Sequence, residues 1–426
     1  MGLITRERVA RLSGFASTQV LVQGIGFVAG IVLVRTLDPA QYGLYTLAIS
    51  MVSLATILAD LGLATAVLSI GGPIAAVPGA LAPLVRNALN IHRHLITVGA
   101  LAVVPCCFAL LLKQHASAWQ ASVLTLLVLG TAACSVPTGI GVGVARLLGR
   151  MRLQLSLDVA GNLARLIVLA LASVTFLDAT IALLVNFAVA LVVAVRLRRA
   201  LAPALAESPA ADEPSAPHGP ALRRQLARLA PNSVYYIVSS QLSIWLIGIF
   251  GDAQRVAQVG ALGRLGAVFV VIGSVSAALL FPYFARNDEP ADLASAFVGV
   301  NTFYAALLLS LVSIAGAFPQ ALLWILGSSY ASLGDELVWM VAATTLAAWS
   351  GTVYSIGCAR GWVMPVGLVG AVGVGATIAA AMVVDVSSVR GSFMINAAGG
   401  AAGTLAAVLY FARQLQRHGR LKVALR

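Results

Sequence analysis

Charge is scarce in this chain of 426 residues. Asp, Glu, Lys and Arg together make up 10% of it, whereas 60% of the residues are hydrophobic. A soluble domain is about a quarter charged, and a soluble chain of this size could not cover its surface with so few charges. The composition therefore excludes soluble globular enzymes and disordered scaffolds, and it indicates a polytopic membrane protein that sits in a lipid bilayer.

Lysine, cysteine and histidine are also rare. The two lysines, Lys113 and Lys422, follow no glycine-rich loop, so the chain has no P-loop for a nucleotide. The four cysteines lie in or beside apolar runs without ligand or disulfide spacing, and the five histidines are scattered outside the predicted spans. We therefore expect no metal site, no cofactor and no catalytic set.

Long apolar runs are abundant instead. A helix needs about 20 apolar residues to cross a bilayer core of about 30 Å. This criterion predicts an all-α fold of twelve membrane spans. The spans cover residues 12–34, 44–71, 95–112, 119–144, 153–176, 177–196, 226–250, 259–284, 294–318, 335–356, 363–383 and 392–411.

The basic residues predict the orientation. With a cytoplasmic N-terminus, 21 of the 27 lysines and arginines fall in or beside cytoplasmic segments, and the external segments hold only Arg35, Lys113, Arg255 and Arg390. This asymmetry follows the positive-inside rule and predicts that both termini are cytoplasmic. The net charge of +12 consequently reports orientation in the membrane, and we expect no nucleic-acid partner.

A hydrophilic stretch divides the chain. Residues 197–225 contain five prolines and an acidic patch, a composition typical of a flexible cytoplasmic linker. It separates a six-helix lobe (1–196) from a second six-helix lobe with a basic cytoplasmic tail (226–426). A shift of 217 residues superposes the first hairpins of the two lobes. Parallel repeats of six helices imply a pseudo-two-fold axis along the membrane normal, with binding between the lobes.

The fifth predicted span carries ionisable groups at bilayer depth. Asp158, Asn162 and Arg165 lie at i, i+4 and i+7, on one helical face. Charges at that depth are expensive and usually serve a cavity or a partner. Arg165 and Asn162 are thus candidate substrate-binding residues, and Asp158 is a candidate coupling or gating residue. The alternative is an ion pair that joins helices.

Other polar residues of the spans are more ambiguous. Asp60 is a second candidate for ion coupling or gating, or else a capping group. Asn232 and Tyr235 on the seventh span suit sugar hydroxyls or phosphate oxygens, but helix–helix hydrogen bonds would also explain them. Arg35 and Arg264 near external span ends are candidate substrate ligands, or residues that snorkel to the interface.

The first hairpin carries a resemblance to a known family. The runs LVRTLDPAQYGLYTLAIS and LATILADLGLATAVL resemble the opening of bacterial polysaccharide and O-antigen flippases, which belong to the multidrug/oligosaccharidyl-lipid/polysaccharide exporter superfamily. The run RLLGRMRLQLSLDVAGNLARL resembles the family's fourth-to-fifth-helix junction. The resemblance is good over residues 1–200. It departs at Asp38, where the family usually has glycine. The residues that carry it are Arg35, Pro39, Tyr42, Gly43, Ala59, Asp60, Leu61, Gly62, Arg146, Arg150, Asp158 and Arg165.

The resemblance implies two lobes around a cavity and transport by alternating access. The implied cargo is a polyprenyl-pyrophosphate-linked oligosaccharide, moved across the bacterial inner membrane for surface or exopolysaccharide assembly, with polysaccharide polymerase and export machinery as further partners. Arg165 and Arg35 would bind phosphate or acidic sugars, and Asp60 or Asp158 would couple transport to an ion gradient.

Two other functions stay open. One is a cation-coupled multidrug exporter of the same superfamily, for which we expect a more acidic cavity. The other is a membrane-embedded glycan polymerase or ligase. Such enzymes generally need a large external loop with catalytic residues, and the largest external segment here, about 319–334, contains no acid, base or arginine before Asp335 at its border.

Overall fold

The structure is a computed structural model that describes residues 6–75, 79–174, 177–206, 218–287, 289–360, 362 and 364–424. These residues are almost wholly helical. The α-helices are α1 (Arg6–Thr36), α2 (Pro39–Asp60), α3 (Leu63–Ile74), α4 (Leu81–Lys113), α5 (Ala118–Leu147), α6 (Met151–Ala172), α7 (Ala179–Ala206), α8 (His218–Phe250), α9 (Ala253–Leu265), α10 (Ala267–Arg286), α11 (Pro290–Ala317), α12 (Pro319–Leu323), α13 (Gly334–Ala359), α14 (Val366–Ala381) and α15 (Val389–Ala424).

The predicted all-α, polytopic fold is confirmed. Nine helical segments of the described chain are long and apolar enough to cross a membrane. Shorter apolar helices, Val20–Thr36 in α1 and Gly370–Ala381 in α14, match two further predicted spans. The pair α9–α10 covers the one remaining predicted span, residues 259–284. The second and eighth predicted spans are each broken into two helices, α2–α3 and α9–α10.

Short polar side chains set where the helices begin. Asp38 precedes Pro39, the first residue of α2, and its carboxylate accepts a hydrogen bond from the amide of Ala40 at 3.0 Å. Asp178 likewise accepts from the amide of Ile181 at 2.7 Å, at the start of α7. Both residues satisfy amides that a helix start leaves without partners. The cap explains why an aspartate suits position 38, where the resembling family has glycine.

The chain divides into two compact units, residues 1–241 (unit 1) and 242–426 (unit 2), with the boundary inside α8. The ends of the predicted linker 197–225 are helical, which corrects the prediction there. Leu197, Leu201 and Leu222 are buried in the apolar core of unit 1, and this burial stabilises the helices at both ends. Residues 207–217 lie outside the described part, and the lobe limits remain a prediction.

Polar contacts show that the helices of unit 1 alternate in direction. Gln41 near the start of α2 accepts hydrogen bonds from the side chain of Gln120 at 2.9 Å and from the amide of Ala179 at 3.3 Å. The N-terminal ends of α2, α5 and α7 therefore meet. At the other end, the guanidinium of Arg150 donates to the carbonyl of Ala200 at 3.2 Å.

Unit 2 alternates in the same way. Arg255 in the first turn of α9 donates to the carbonyl of Ser387, just before α15, at 3.1 Å. Arg390 on α15 lies 3.8 Å from Asp335 at the start of α13. At the opposite end, Arg360 after α13 donates to the carbonyl of Asn287 after α10 at 2.9 Å. These contacts join the ends that an up-and-down order of spans brings together.

Candidate functional site

The most conspicuous polar cluster of unit 1 joins three helices inside the apolar region. The guanidinium of Arg165 on α6 donates from Nη2 to the phenol oxygen of Tyr45 on α2, at 3.4 Å. The same oxygen accepts a hydrogen bond from Nδ2 of Asn186 on α7, at 2.9 Å. Tyr45 is fully buried. We call Arg165, Tyr45 and Asn186 the arginine cluster.

Arg165 is incompletely satisfied in this cluster. Its Nε is buried without a hydrogen-bond partner, and no carboxylate of the described chain contacts it. The residue is the fifteenth of the 22 in α6, so it lies well inside the helix. Because an unpaired guanidinium N–H is costly away from water, the arginine cluster is suited to bind an anionic acceptor.

Asp158 belongs to a different network. Its carboxylate accepts a hydrogen bond from Nε2 of the Gln154 side chain at 3.4 Å. The side-chain oxygen Oε1 of Gln154 in turn accepts a hydrogen bond from Nε of Arg146 at 3.1 Å. Asn162 donates to the backbone carbonyl of Asp158 at 2.9 Å and not to its carboxylate. Asn162 thus does not bridge Asp158 to Arg165, and the ion-pair interpretation of these two residues finds no contact in the structure.

Asn162 also marks where α6 packs on α1. Its Oδ1 lies 3.8 Å from the position that a Cβ on Gly26 would take. The absence of a side chain at Gly26 lets the amide approach the backbone of α1. Asn162 therefore lies between the two charged networks of α6 without joining them.

Asp60 caps a break in the second span. Leu61 and Gly62 both adopt left-handed backbone conformations, with φ of 44° and 92°. The carboxylate of Asp60 accepts from the amide of Gly62 at 3.1 Å and from the amide of Ala64 at 3.0 Å. These are amides that the start of α3 would otherwise leave without partners. The capping interpretation of Asp60 accounts for these contacts.

Neighbouring helices close the same break. Leu229 of α8 packs so tightly that a Cβ on Gly62 would lie 2.8 Å from its Cβ. Nδ1 of His92 lies 3.2 Å from the carbonyl oxygen of Ala59, at the end of α2. His92 is buried within α4. His92 therefore lies in the part of α4 that precedes the predicted span, because the helix begins 14 residues before residue 95.

The remaining candidates are dispersed. Arg35 is exposed in the last turn of α1, and Arg264 is half-buried in the last turn of α9. Cations there interact favourably with the helix dipole. Asn232 and Tyr235 are half-buried on α8. The part of these four residues in binding stays a prediction.

Tyr45 and Asn186 were not among the candidates from sequence. Tyr45 lies two residues after Gly43 of the resemblance, and Asn186 interrupts the otherwise apolar run IALLVNFAVALVV of α7. A single amide in such a run is expensive in lipid and could have marked the position. Its partner could not have been found, since only packing of α2 against α7 brings Tyr45 to it.

Comparison with known proteins extends the description of the fold. No protein-family model and no curated protein matches the sequence. A multidrug resistance MATE family transporter of the MOP superfamily, solved in an inward-facing conformation, superposes with a TM-score of 0.70 at 12% identity, over 93% of this chain and 95% of that one. A multidrug resistance MATE family transporter of the MOP superfamily in an outward-facing conformation superposes with a TM-score of 0.63 at 14% identity, over 95% of this chain and 94% of that one.

A third structure differs in its described binding pocket. It is a MOP superfamily transporter from Pyrococcus furiosus with a pocket of reverse polarity, which suggests a different function for that protein. It superposes with a TM-score of 0.65 at 14% identity, over 96% of each chain. The multi-pass chain described here therefore has the fold of MATE transporters of the MOP superfamily.

Proposed function

We propose that this protein is a flippase that moves a polyprenyl-pyrophosphate-linked oligosaccharide from the cytoplasmic to the periplasmic leaflet of the bacterial inner membrane by alternating access. The arginine cluster carries the proposal. A pyrophosphate crossing hydrocarbon must exchange its water for other hydrogen-bond donors. The cluster offers a guanidinium whose Nε has no hydrogen-bond partner among the residues that the structure describes.

The geometry of a guanidinium suits this cargo. Its N–H groups lie in one plane and can bind two oxygens of a phosphate at once. The hydrogen bonds of Arg165 and Asn186 to the phenol of Tyr45 hold the donors on three different helices together. The lipid tail of the cargo needs no such site, because it can stay in the bilayer.

A cation-coupled multidrug exporter is the second candidate, because the superposed structures include multidrug resistance transporters. An organic cation would be expected to bind a carboxylate. The two carboxylates singled out in the spans are already engaged, Asp60 with two backbone amides and Asp158 with Gln154. The Pyrococcus furiosus protein is consistent with pocket polarity varying within this fold.

Coupling to an ion gradient belongs to the same proposal. Asp60 closes the break between α2 and α3, a point at which a span can change shape. We therefore expect Asp60→Asn to weaken gradient-driven transport while cargo binding is kept. Asp158→Asn should instead alter binding or stability. Transport into vesicles with and without an imposed proton or sodium gradient distinguishes the two residues. Full gradient dependence in Asp60→Asn would exclude Asp60 as the coupling group.

Reconstituted vesicles test the cargo directly. Protein in liposomes is given a fluorescent polyprenyl-pyrophosphate oligosaccharide, and its translocation is followed by accessibility to a lectin. We expect Arg165→Ala to reduce translocation about 100-fold, as losing charge-assisted hydrogen bonds of about 3 kcal/mol implies. Arg165→Lys should retain part of the activity, because an ammonium lacks the planar fork.

Arg152→Ala is the matched control, since Arg152 lies exposed on the same helix. It should translocate the lipid-linked glycan like the parent. Ethidium transport in the same vesicles tests the rival function. Ethidium transport that needs Asp158, with no movement of the glycan, would replace the flippase by the drug exporter.

A further inference from the structure

A groove of about 480 Å³ lies between α4 and the first half of α8, wholly within unit 1. Its apolar lining includes Leu61, Ile91 and Leu95. Its polar lining consists of Arg223 on α8 and His94 on α4. Both polar side chains are exposed. The groove is therefore amphipathic, with an apolar floor and basic groups at its rim.

The first turns of α8 explain how this groove arises. Leu222 and Leu226 are buried against the core of unit 1, whereas Arg223, Arg224 and Arg228 point outward and are exposed. Such a helix presents an apolar face to the protein and a cationic face to its surroundings. This pattern is typical of helices at the surface of an anionic membrane.

The position of the groove along the chain indicates which leaflet of the membrane it faces. Arg223 belongs to the arginine-rich segments that the positive-inside rule assigns to the cytoplasmic side. The cytoplasmic leaflet carries the anionic phospholipids. The residues that line the groove include no Asp or Glu, so no lining carboxylate competes with an anionic headgroup.

We propose that this groove binds an anionic phospholipid of the cytoplasmic leaflet. The phosphate lies against Arg223 and His94, and one acyl chain lies along Leu61 and Leu95. Charge complementarity at the rim and the apolar floor together favour this occupant. The proposal is independent of the cargo that the protein transports. Bound lipid would also contact the break at Leu61, and so add to the contacts that hold α4 and α8 around it.

Native mass spectrometry of the full-length protein in detergent tests the proposal. The protein is titrated with phosphatidylglycerol and, separately, with phosphatidylcholine of the same acyl chains. We expect clearly tighter binding of phosphatidylglycerol. Arg223→Gln should weaken it roughly fivefold, the effect of about 1 kcal/mol for each basic residue near an anionic surface. Raising the salt concentration should reduce the difference between the lipids.

Two matched variants separate the groove from general surface charge. Arg417→Gln removes an exposed arginine of α15, far along the chain in unit 2, and should leave binding unchanged. Ala227→Trp keeps every charge but fills the groove, which Ala227 lines, and should abolish the tight site. Arg223 and Arg417 are exposed, so this pair remains informative if the tryptophan variant fails to fold.

Four results would overturn the proposal. Equal losses in Arg223→Gln and Arg417→Gln would show attraction by net charge alone. Unchanged binding in folded Ala227→Trp would show that the groove is not used. Equal binding of phosphatidylcholine would remove the role of the anionic headgroup. Displacement of phosphatidylglycerol by much lower concentrations of polyprenyl pyrophosphate would assign the groove to the cargo instead.

Discussion

The hydrogen-bond networks among the spans differ between the two units in whether they include charged side chains. In unit 1 the networks among the spans include charged groups, Arg165 with Tyr45 and Asp158 with Gln154. Three hydrogen-bonded pairs among the spans of unit 2 join neutral groups instead. Tyr304 and Thr352 lie 2.7 Å apart, Trp349 donates to Asn301 at 2.9 Å, and Asn396 donates to Ser243 at 2.7 Å.

This difference distinguishes polar groups that hold helices together from polar groups that remain able to bind a ligand. A neutral hydrogen bond between membrane helices contributes about 0.6 kcal/mol on average, and it satisfies both partners. A charged residue at the helix centre costs about 3 kcal/mol, and the Nε–H of Arg165 finds no partner in the described part of the chain. Ser243 on α8 has a helix-packing role, because it donates to the carbonyl of Ser392 and accepts from Asn396 on α15. The neutral networks therefore stabilise unit 2, while the arginine cluster keeps a capacity to bind.

The breaks in the second and eighth spans differ as well. Leu61 and Gly62 are both left-handed, whereas Gly266, between α9 and α10, has an ordinary helical φ of −64°. The first break needs a glycine and a cap. The second needs only the loss of regular hydrogen bonding at one residue. The comparison predicts unequal tolerance to the same substitution.

The largest effect on stability is expected from Gly62→Ala. An L-residue at φ of 92° is strained, and its Cβ would lie 2.8 Å from that of Leu229. We expect a loss of about 2–3 kcal/mol in the free energy of unfolding, measured by denaturant unfolding in mixed micelles. Gly266→Ala is the matched control; its Cβ would lie 3.0 Å from the carbonyl oxygen of Gly263 but at an ordinary helical φ, so it should cost less than Gly62→Ala. Equal losses would contradict the distinction between the breaks.

Two Tyr→Phe substitutions, each of which removes one hydroxyl group, compare the arginine cluster of unit 1 with the neutral network around Tyr304 in unit 2. Tyr45→Phe should reduce glycan translocation about tenfold, because Arg165 and Asn186 lose the oxygen that positions them. Tyr304→Phe should leave translocation intact but lower the free energy of unfolding by about 1 kcal/mol, since Thr352 loses its 2.7 Å partner. Translocation and unfolding are measured on both variants. Normal translocation in Tyr45→Phe together with reduced translocation in Tyr304→Phe would refute the binding role of the arginine cluster.

Asp60→Asn tests the cap by itself. An amide oxygen can accept from one of the two backbone amides, but its NH₂ group would face the other. We expect a loss of about 1 kcal/mol in the free energy of unfolding, the usual value of an N-cap. Asp158→Asn should cost less, because the hydrogen bond that the Asp158 carboxylate accepts from Gln154 is long, at 3.4 Å. Similar losses in the two variants would argue against the capping role.

The smallest effect concerns the turn before α15. Hydrogen bonds from Ser387, with a smaller contribution from Arg255, lower the pKa of the exposed Asp385 below its ordinary value of 3.8. A lowered folded-state pKa means that this contribution is present above pH 3.8 and is lost as the pH falls through the folded value. Asp385→Asn should therefore slightly reduce the stability difference between pH 7 and pH 3, measured by thermal unfolding. An unchanged difference would show that these hydrogen bonds do not affect stability.

Much of the fold followed from the sequence. Apolar runs of bilayer length indicated the helices, and the predicted limit between residues 176 and 177 fell just before the turn where Asp178 caps α7. Asp158, Asn162 and Arg165 were placed on one helical face by spacing alone. These features are local, since helix periodicity and capping depend on residues within a few turns. The linker ends were mispredicted because Leu197 and Leu222 are buried by helices distant in the sequence.

The composition of the candidate site depended on tertiary structure. Spacing put Arg165 on one helical face with Asp158, but packing of α7 against both α6 and α2 gave it Tyr45 as a partner. The sequence left Asp60 open between coupling and capping, and the left-handed turn that follows it supplied the amides that it caps. A charge at bilayer depth can be read from one helix. Its partner is contributed by whichever helices pack beside it, and packing joins residues more than a hundred positions apart.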